Sequence, residues 1–296
     1  MESGIANLLG MLSERVLELA NAGKWEEAMR SADAVIEKAR AANTGEFSDI
    51  ISLATALEIK GDILRQQSYL EEARVVYLEA LEMLNSREEC NEMLARISAS
   101  IGVLYDAVQN DEEAIVFYEH AIAMYERLDP PELTSVADIC NNLGFIYRSL
   151  GNMDTAEALF VKGLEICHSA YGKNHEKTAT LFNNVGALYL KLGSDAQARE
   201  MHTMALEGRL ASLGDDHPDT AQSYSNLALT LVQVGENKEA KELFLKSLAI
   251  YEKHIKTESY EYASVAENYA EFLRASEDIK GSASVIKKAQ KKLAKV

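Results

Sequence analysis

The chain has 296 residues, with 47 acidic side chains against 30 lysines and arginines and a formal net charge of −17. Most of such a surface repels nucleic acid and anionic membrane. A hydrophobic share of 47% excludes a disordered chain, and only three prolines suit one that is nearly all helical.

The N-terminal segment MESGIANLLGMLSERVLELA carries an apolar stripe at Ile5, Leu8, Leu9 and Leu12. It lacks a basic leading region and holds Glu2 and Glu14, so it reads as a helix rather than a signal peptide. No apolar run is long enough to span a membrane. Trp25 and Ala28 in GKWEEAMRSA then give a first, degenerate copy of a pattern. Gly61, Leu64, Ala73 and Tyr77 give the next copy, and Gly102, Tyr105, Ala114 and Tyr118 follow 41 residues later. From there the step is 42 residues: Gly144, Tyr147, Ala156 and Phe160, then Gly186, Tyr189, Ala198 and His202. Ala228, Leu231, Ala240 and Phe244 continue it, and Ala270, Leu273, Ser282 and Ile286 close it.

A fixed period of this size marks a solenoid, in which each unit buries its apolar face against its neighbours. The small residues belong where two helices cross, and the bulky ones fill the adjacent groove. Leu143, Ile146, Tyr147 and Leu150 form the apolar stripe of a first helix A. Gly151, Gly193 and Gly235 end such helices, and Asp154 or Glu236 opens the following helix B. In the fourth unit, helix A is expected around 137–150 and helix B around 153–170. Pro130, Pro131 and Pro218 fall where helices begin. The resulting expectation is a single domain, 1–296, with repeats at about 9–42, 54–87, 95–128, 137–170, 179–212, 221–254 and 263–296.

These residues resemble the tetratricopeptide repeat. Gly144, Tyr147, Ala156, Phe160 and Gly163 match that family's pattern, as do Gly102, Tyr105, Ala114, Tyr118 and Ala121. The 42-residue step and the segment LGDDHPDTAQSYSNLALTL look like the repeats of kinesin light chains and their relatives. The resemblance implies an all-α, right-handed α-solenoid of about seven helix-turn-helix repeats. It also implies a concave groove lined by helices A, which holds a peptide or a partner protein.

Candidate chemistry is thin. Cys90, Cys140 and Cys167 lack metal-ligand spacing and read as reduced cysteines of a cytoplasmic protein. His175 and His217 sit one repeat apart in equivalent connections, which marks a structural residue rather than a catalyst. Glu26–Glu27, Glu71–Glu72 and Glu112–Glu113 recur at starts of helix B, where they complement the positive helix end. The lysines after Asp278 read as the solvated face of a last helix, whose buried stripe is Val285, Ile286, Ala289 and Leu293. No enzyme, cofactor or metal is expected.

The sharpest feature is a ladder. Asn142, Asn184, Asn226 and Asn268 recur every 42 residues, two positions before each small residue of helix A. An amide offers donor and acceptor together and can hold the backbone of an extended peptide. The competing reading makes each Asn a bridge between neighbouring helices A. Candidate partner-binding residues are therefore Asn141, Asn142, Arg148, Asn183, Asn184, Lys191, Asn226 and Asn268. The ladder positions of the earlier units hold Glu14, Ile59 and Ser100. A clamp for a chaperone's terminal carboxylate would need paired cations. The matching positions hold Asp138, Thr180 and Gln222 instead, and only Arg96 fits. Two functions remain: an adaptor, expected as a monomer, that binds a peptide or partner in the groove, or a module acting through self-association or a convex-face contact.

Overall fold

The computed structural model describes residues 2–84 and 91–295, with side chains from residue 9 onward except at 91. Cys90 lies outside the described residues. Fourteen helices and no strand are found among them. They follow one another as α1 (Glu2–Asn21), α2 (Trp25–Ala42), α3 (Phe47–Gln66), α4 (Leu70–Leu84), α5 (Asn91–Ala107), α6 (Asp111–Glu126) and α7 (Leu133–Ser149). The series continues with α8 (Met153–Tyr171), α9 (Glu176–Lys191), α10 (Asp195–Ser212), α11 (Pro218–Gln233), α12 (Asn237–Lys253), α13 (Ser259–Ala275) and α14 (Ile279–Leu293). Odd-numbered helices are helices A, and even-numbered ones are helices B. The all-α repeat architecture read from the sequence is the one observed.

One turn joins helix A to helix B throughout. Gly23, Gly151, Gly193 and Gly235 adopt φ of 71°, 81°, 72° and 81° there. Ser68, Gln109 and Glu277 adopt φ of 64°, 60° and 64° at the matching positions. The next residue's N–H reaches back to the carbonyl five residues earlier, as in Asn110 to Tyr105, Asn152 to Tyr147 and Ser194 to Tyr189, each 2.9 Å. This is the Schellman closure, which needs a left-handed residue after the helix. Glycine fits it without strain, and the three side-chain-bearing residues adopt it all the same.

The residues at the helix crossings are those the pattern singled out. Ala28, Ala73, Ala114, Ala156, Ala198 and Ala240 are fully buried. The glycine of helix A is a socket for the ring of helix B. A Cβ at Gly61 would lie 2.5 Å from the Tyr77 ring, and one at Gly102 would lie 2.6 Å from the Tyr118 ring. At Gly186 the clash would be with the His202 ring, at 2.5 Å. Replacing Ala198 by Leu is therefore expected to overpack the α9–α10 crossing and cost about 1–3 kcal/mol. Thermal melts check this, and a change within error would place the crossing elsewhere.

Four local expectations are corrected. Helix α7 begins at Leu133, not near 137, because the Glu132 carboxylate accepts from the Ser135 N–H at 3.4 Å and from the Thr134 hydroxyl. Leu150 lies past the end of α7 and is 55% exposed, so the stripe ends at Tyr147. Asn152, rather than Asp154, caps α8 by accepting from the Thr155 N–H at 3.2 Å. Pro218 does open α11, whereas Pro130 and Pro131 precede the first residue of α7.

The chain folds as two compact units, Met1–Ile146 and Tyr147–Val296. In the first unit, Val16, Val35, Leu57, Ile63, Tyr77, Ile97 and Leu104 belong to one continuous core. In the second, Tyr224, Leu231, Phe244, Tyr262, Val265, Tyr269 and Phe272 share a core. Within each unit neighbouring helices A touch one another, as α3 touches α5 and α9 touches α11.

Candidate peptide-binding face

In the first unit the face of helices A carries one strong ion pair. The Glu58 carboxylate on α3 accepts from Arg96 Nε on α5 at 2.7 and 2.9 Å, and Glu58 is 6% exposed. Burial pushes the Glu58 pKa up and the Arg96 guanidinium opposes that push. The one cation that fits a carboxylate clamp is thus engaged by a carboxylate of the chain itself. Farther along, the side chain of Asn142 on α7 donates from Nδ2 to the Tyr118 hydroxyl on α6 at 3.2 Å. Asn141 and Asn142 are half-buried.

In the second unit the ladder runs over α9, α11 and α13. Asn183 and Asn184 are buried, at 6% and 9% exposed, while Asn226 and Asn268 are half-buried. Asn226 Nδ2 donates to Asn183 Oδ1 across the two helices at 2.8 Å. The Thr230 hydroxyl donates to the Asn226 carbonyl at 3.1 Å and meets His202 Nδ1 at 2.8 Å. A chain of polar side chains thereby ties α9 to α11 and α10. Arg148 is half-buried and Lys191 is exposed. The structure brings Asn183 and Asn226 together as a bridge between helices A. Each such bond uses one amide hydrogen, whereas an amide carries two donors and an acceptor.

Two residues of this region were not singled out for chemistry by the pattern alone. Arg209, near the end of α10, is only 3% exposed. Its Nη1 donates to the Asp219 carbonyl at 2.6 Å, to Gln222 Oε1 at 2.9 Å and to Ser223 Oγ at 3.1 Å, and Nη2 reaches Thr180 Oγ1 at 3.5 Å. Arg209 Nε has no hydrogen-bond partner. Burial lowers the Arg209 pKa, while Asp219, Tyr251 and Glu176 raise it from a distance. His202, 1% exposed, keeps Nε2 unpartnered, and burial pushes its pKa down to about 4. A signal existed for both. Leu84, Tyr125, Cys167 and Tyr251 fill the repeat position of Arg209, and Tyr77, Tyr118, Phe160 and Phe244 that of His202. A polar residue in an apolar column marks a place where the structure does something extra.

The paired histidines prove structural. His175 and His217 each cap a helix A, Nδ1 accepting from the Lys177 and Asp219 N–H groups at 3.2 Å. Among the described residues no group of three or more His, Cys, Asp or Glu side chains is placed to hold a metal ion. No described helix is long and apolar enough to cross a membrane.

Stacked helix pairs closed by one repeated turn, with a polar ladder along helices A, define a helical-repeat protein. Two family models described as tetratricopeptide repeat match residues 94–128, 135–211 and 196–253. The chain belongs to the tetratricopeptide-repeat family. It is similar to the crystal structure of BtubC (BKLC) from P. vanneervenii, at 25% identity and a TM-score of 0.69 over 76% of this chain and 90% of that one. Repeats of a putative kinesin light chain from Podosopora anserina match at 19% identity and a TM-score of 0.60, over 71% of this chain and 98% of that one. A Rap protein complexed with Competence and Sporulation Factor matches at 13% identity and a TM-score of 0.63, over 98% of this chain and 77% of that one. No curated protein sequence matches the chain.

Proposed function

We propose that the protein is a non-catalytic interaction scaffold of the cytoplasm that holds an extended peptide, or a segment of a partner protein, against the face of its helices A. The observation that carries this reading is the Asn ladder on the consecutive helices A of the second unit, half-buried at Asn226 and Asn268. Asn184 is its buried rung, Asn183 holds Asn226 from α9, and Asn141, Asn142, Arg148 and Lys191 complete the candidate set. The Rap structure, whose name includes a bound factor, supports a partner-binding role for arrays of this shape. Loss of one amide–backbone bond costs about 0.5–1.5 kcal/mol. A single Asn→Ala change is therefore expected to weaken binding modestly, and Asn184→Ala with Asn226→Ala clearly. Isothermal titration of a ligand recovered by pull-down checks this, with melts confirming that the variant folds. Unchanged affinity would leave the ladder a purely structural bridge.

A second reading rests on a cleft of the first unit. Trp25 and Met29 of α2, Leu64 of α3, and Tyr69 with Val75 and Val76 of α4 line a space of about 810 Å³ on the helix B side. Tyr69 is 52% and Val75 60% exposed there. A regulatory module would use that surface for self-association or for a partner enzyme. Light scattering separates the two readings, since the scaffold is expected to be a monomer. Trp25, the chain's one tryptophan, reports on occupation of the cleft by its fluorescence.

A further inference from the structure

Arg209 is a buried cation with no carboxylate in contact, Asp219 and Glu176 acting on it only from a distance. Among the described residues no carboxylate lies within ion-pair distance of it, and its four hydrogen-bond acceptors are all neutral. A guanidinium removed from water is costly unless a charge pairs with it. The first unit shows the compensated case, where Arg96 has the buried Glu58. In the second unit the side chains over Arg209 are Thr180, half-buried on α9, and Gln222, exposed on α11. Each lies one turn before a ladder residue, Asn184 and Asn226, and so on the same helix face. Gln222 can swing off Nη1 without disturbing the core, because its side chain stands in solvent.

We propose that Arg209 is the floor of a carboxylate-binding site on the shared face of α9 and α11, filled by a carboxylate of an extended peptide. The incoming carboxylate displaces Gln222 Oε1 from the guanidinium, while Thr180 Oγ1 and the displaced Gln222 amide flank it. Arg suits this task because its planar fork binds carboxylate in a directed way and stays charged when buried. The proposal rests on the peptide-binding reading above and names the chemistry of one subsite within it. It also places a local preference for acid inside a protein whose overall charge opposes it. The lysines of α14 are a second place for acid to bind, so the loss of preference in Arg209→Met is what assigns it to this site.

The test is fluorescence anisotropy with three labelled peptides: amidated hexaglutamate, amidated hexaglutamine, and hexaglutamine with a free C-terminus. The wild-type protein is expected to bind hexaglutamate about tenfold more tightly than amidated hexaglutamine, a charge-assisted pair being worth that much. If the free-ended hexaglutamine gains equally, the terminal carboxylate fills the site; if it does not, a side chain does. Gln222→Glu supplies an internal counter-ion, as Glu58 does for Arg96. It is expected to raise the melting temperature and to abolish the preference. Arg209→Met is expected to lose the preference too, and Arg209→Lys to keep part of it. Equal binding of all three peptides by the wild type, lost in the Asn184→Ala, Asn226→Ala variant, would overturn the carboxylate site and leave the ladder standing. A preference that survives Gln222→Glu, with no rise in melting temperature, would also overturn the carboxylate site. Failure of every peptide to bind would remove both readings.

Discussion

Alanine in place of Phe244 is expected to lower stability by about 3–5 kcal/mol. The ring is fully buried and projects from α12 into the neighbouring pair. Its centroid lies 5.5 Å from that of Tyr269 and 5.9 Å from that of Phe272, both on α13. The substitution thus removes packing between adjacent repeats as well as within one. In a repeat array the coupling between neighbours is what makes unfolding cooperative. Urea titration is expected to show a lower midpoint and a broader transition. Leu245, the next residue and 47% exposed, is the control and is expected to lose far less on truncation. A loss below about 1 kcal/mol at Phe244 would mean that the space closes over and that coupling lies elsewhere.

Stability is expected to fall between pH 6.5 and 4 because of one imidazole. His202 is packed on Gly186 and hidden from water, and burial depresses its pKa to about 4. In the unfolded chain a histidine titrates near 6.5. Between these values the unfolded state binds the proton and the folded state does not, so acid favours unfolding. The contribution is fully present above about pH 6.5 and declines as pH falls, reaching about 3 kcal/mol lost near pH 4 at 1.36 kcal/mol per unit. Carboxylates add their own acid dependence, so the informative quantity is the difference between wild type and His202→Phe. Phenylalanine already fills this place at Phe160 and Phe244. The variant is expected to hold its stability better below pH 6.5, with Thr230 still bonded to the Asn226 carbonyl. Parallel curves for the two proteins would show that His202 is protonated in the fold or reached by water.

The architecture was legible because its causes are periodic. Small residues at crossings, rings in glycine sockets and a left-handed turn recur at a constant step, and each copy testifies for the others. Positions that obey the period were placed well, such as Ala114, Ala198 and Gly235. Ends were placed less well, since a helix end depends on one local side chain, as with Glu132 at α7 and Asn152 at α8. The ladder was legible as a column, but not its burial. Asn183 and Asn184 sink between helices because neighbouring helices A touch, and that spacing is a property of the stack rather than of any residue. Arg96 read as an open cation because its partner Glu58 stands 38 residues away and outside the repeated positions. Arg209 and His202 were overlooked for a related reason. Attention to what repeats passes over what departs from the repeat.

The turn shared by all the helix pairs is not equally comfortable in each. A side chain forced into the left-handed region costs about 1–2 kcal/mol relative to glycine. Ser68, Gln109 and Glu277 carry that strain, and Gly151, Gly193 and Gly235 do not. The pairs α3–α4, α5–α6 and α13–α14 therefore start from a weaker hinge than α9–α10 and α11–α12. Brief local opening would concentrate in the former, and the stretch holding Asn184, Asn226 and Arg209 would stay shut. A ligand there meets an ordered backbone on which only the Gln222 side chain has to move, so little of its affinity is spent on ordering the receptor.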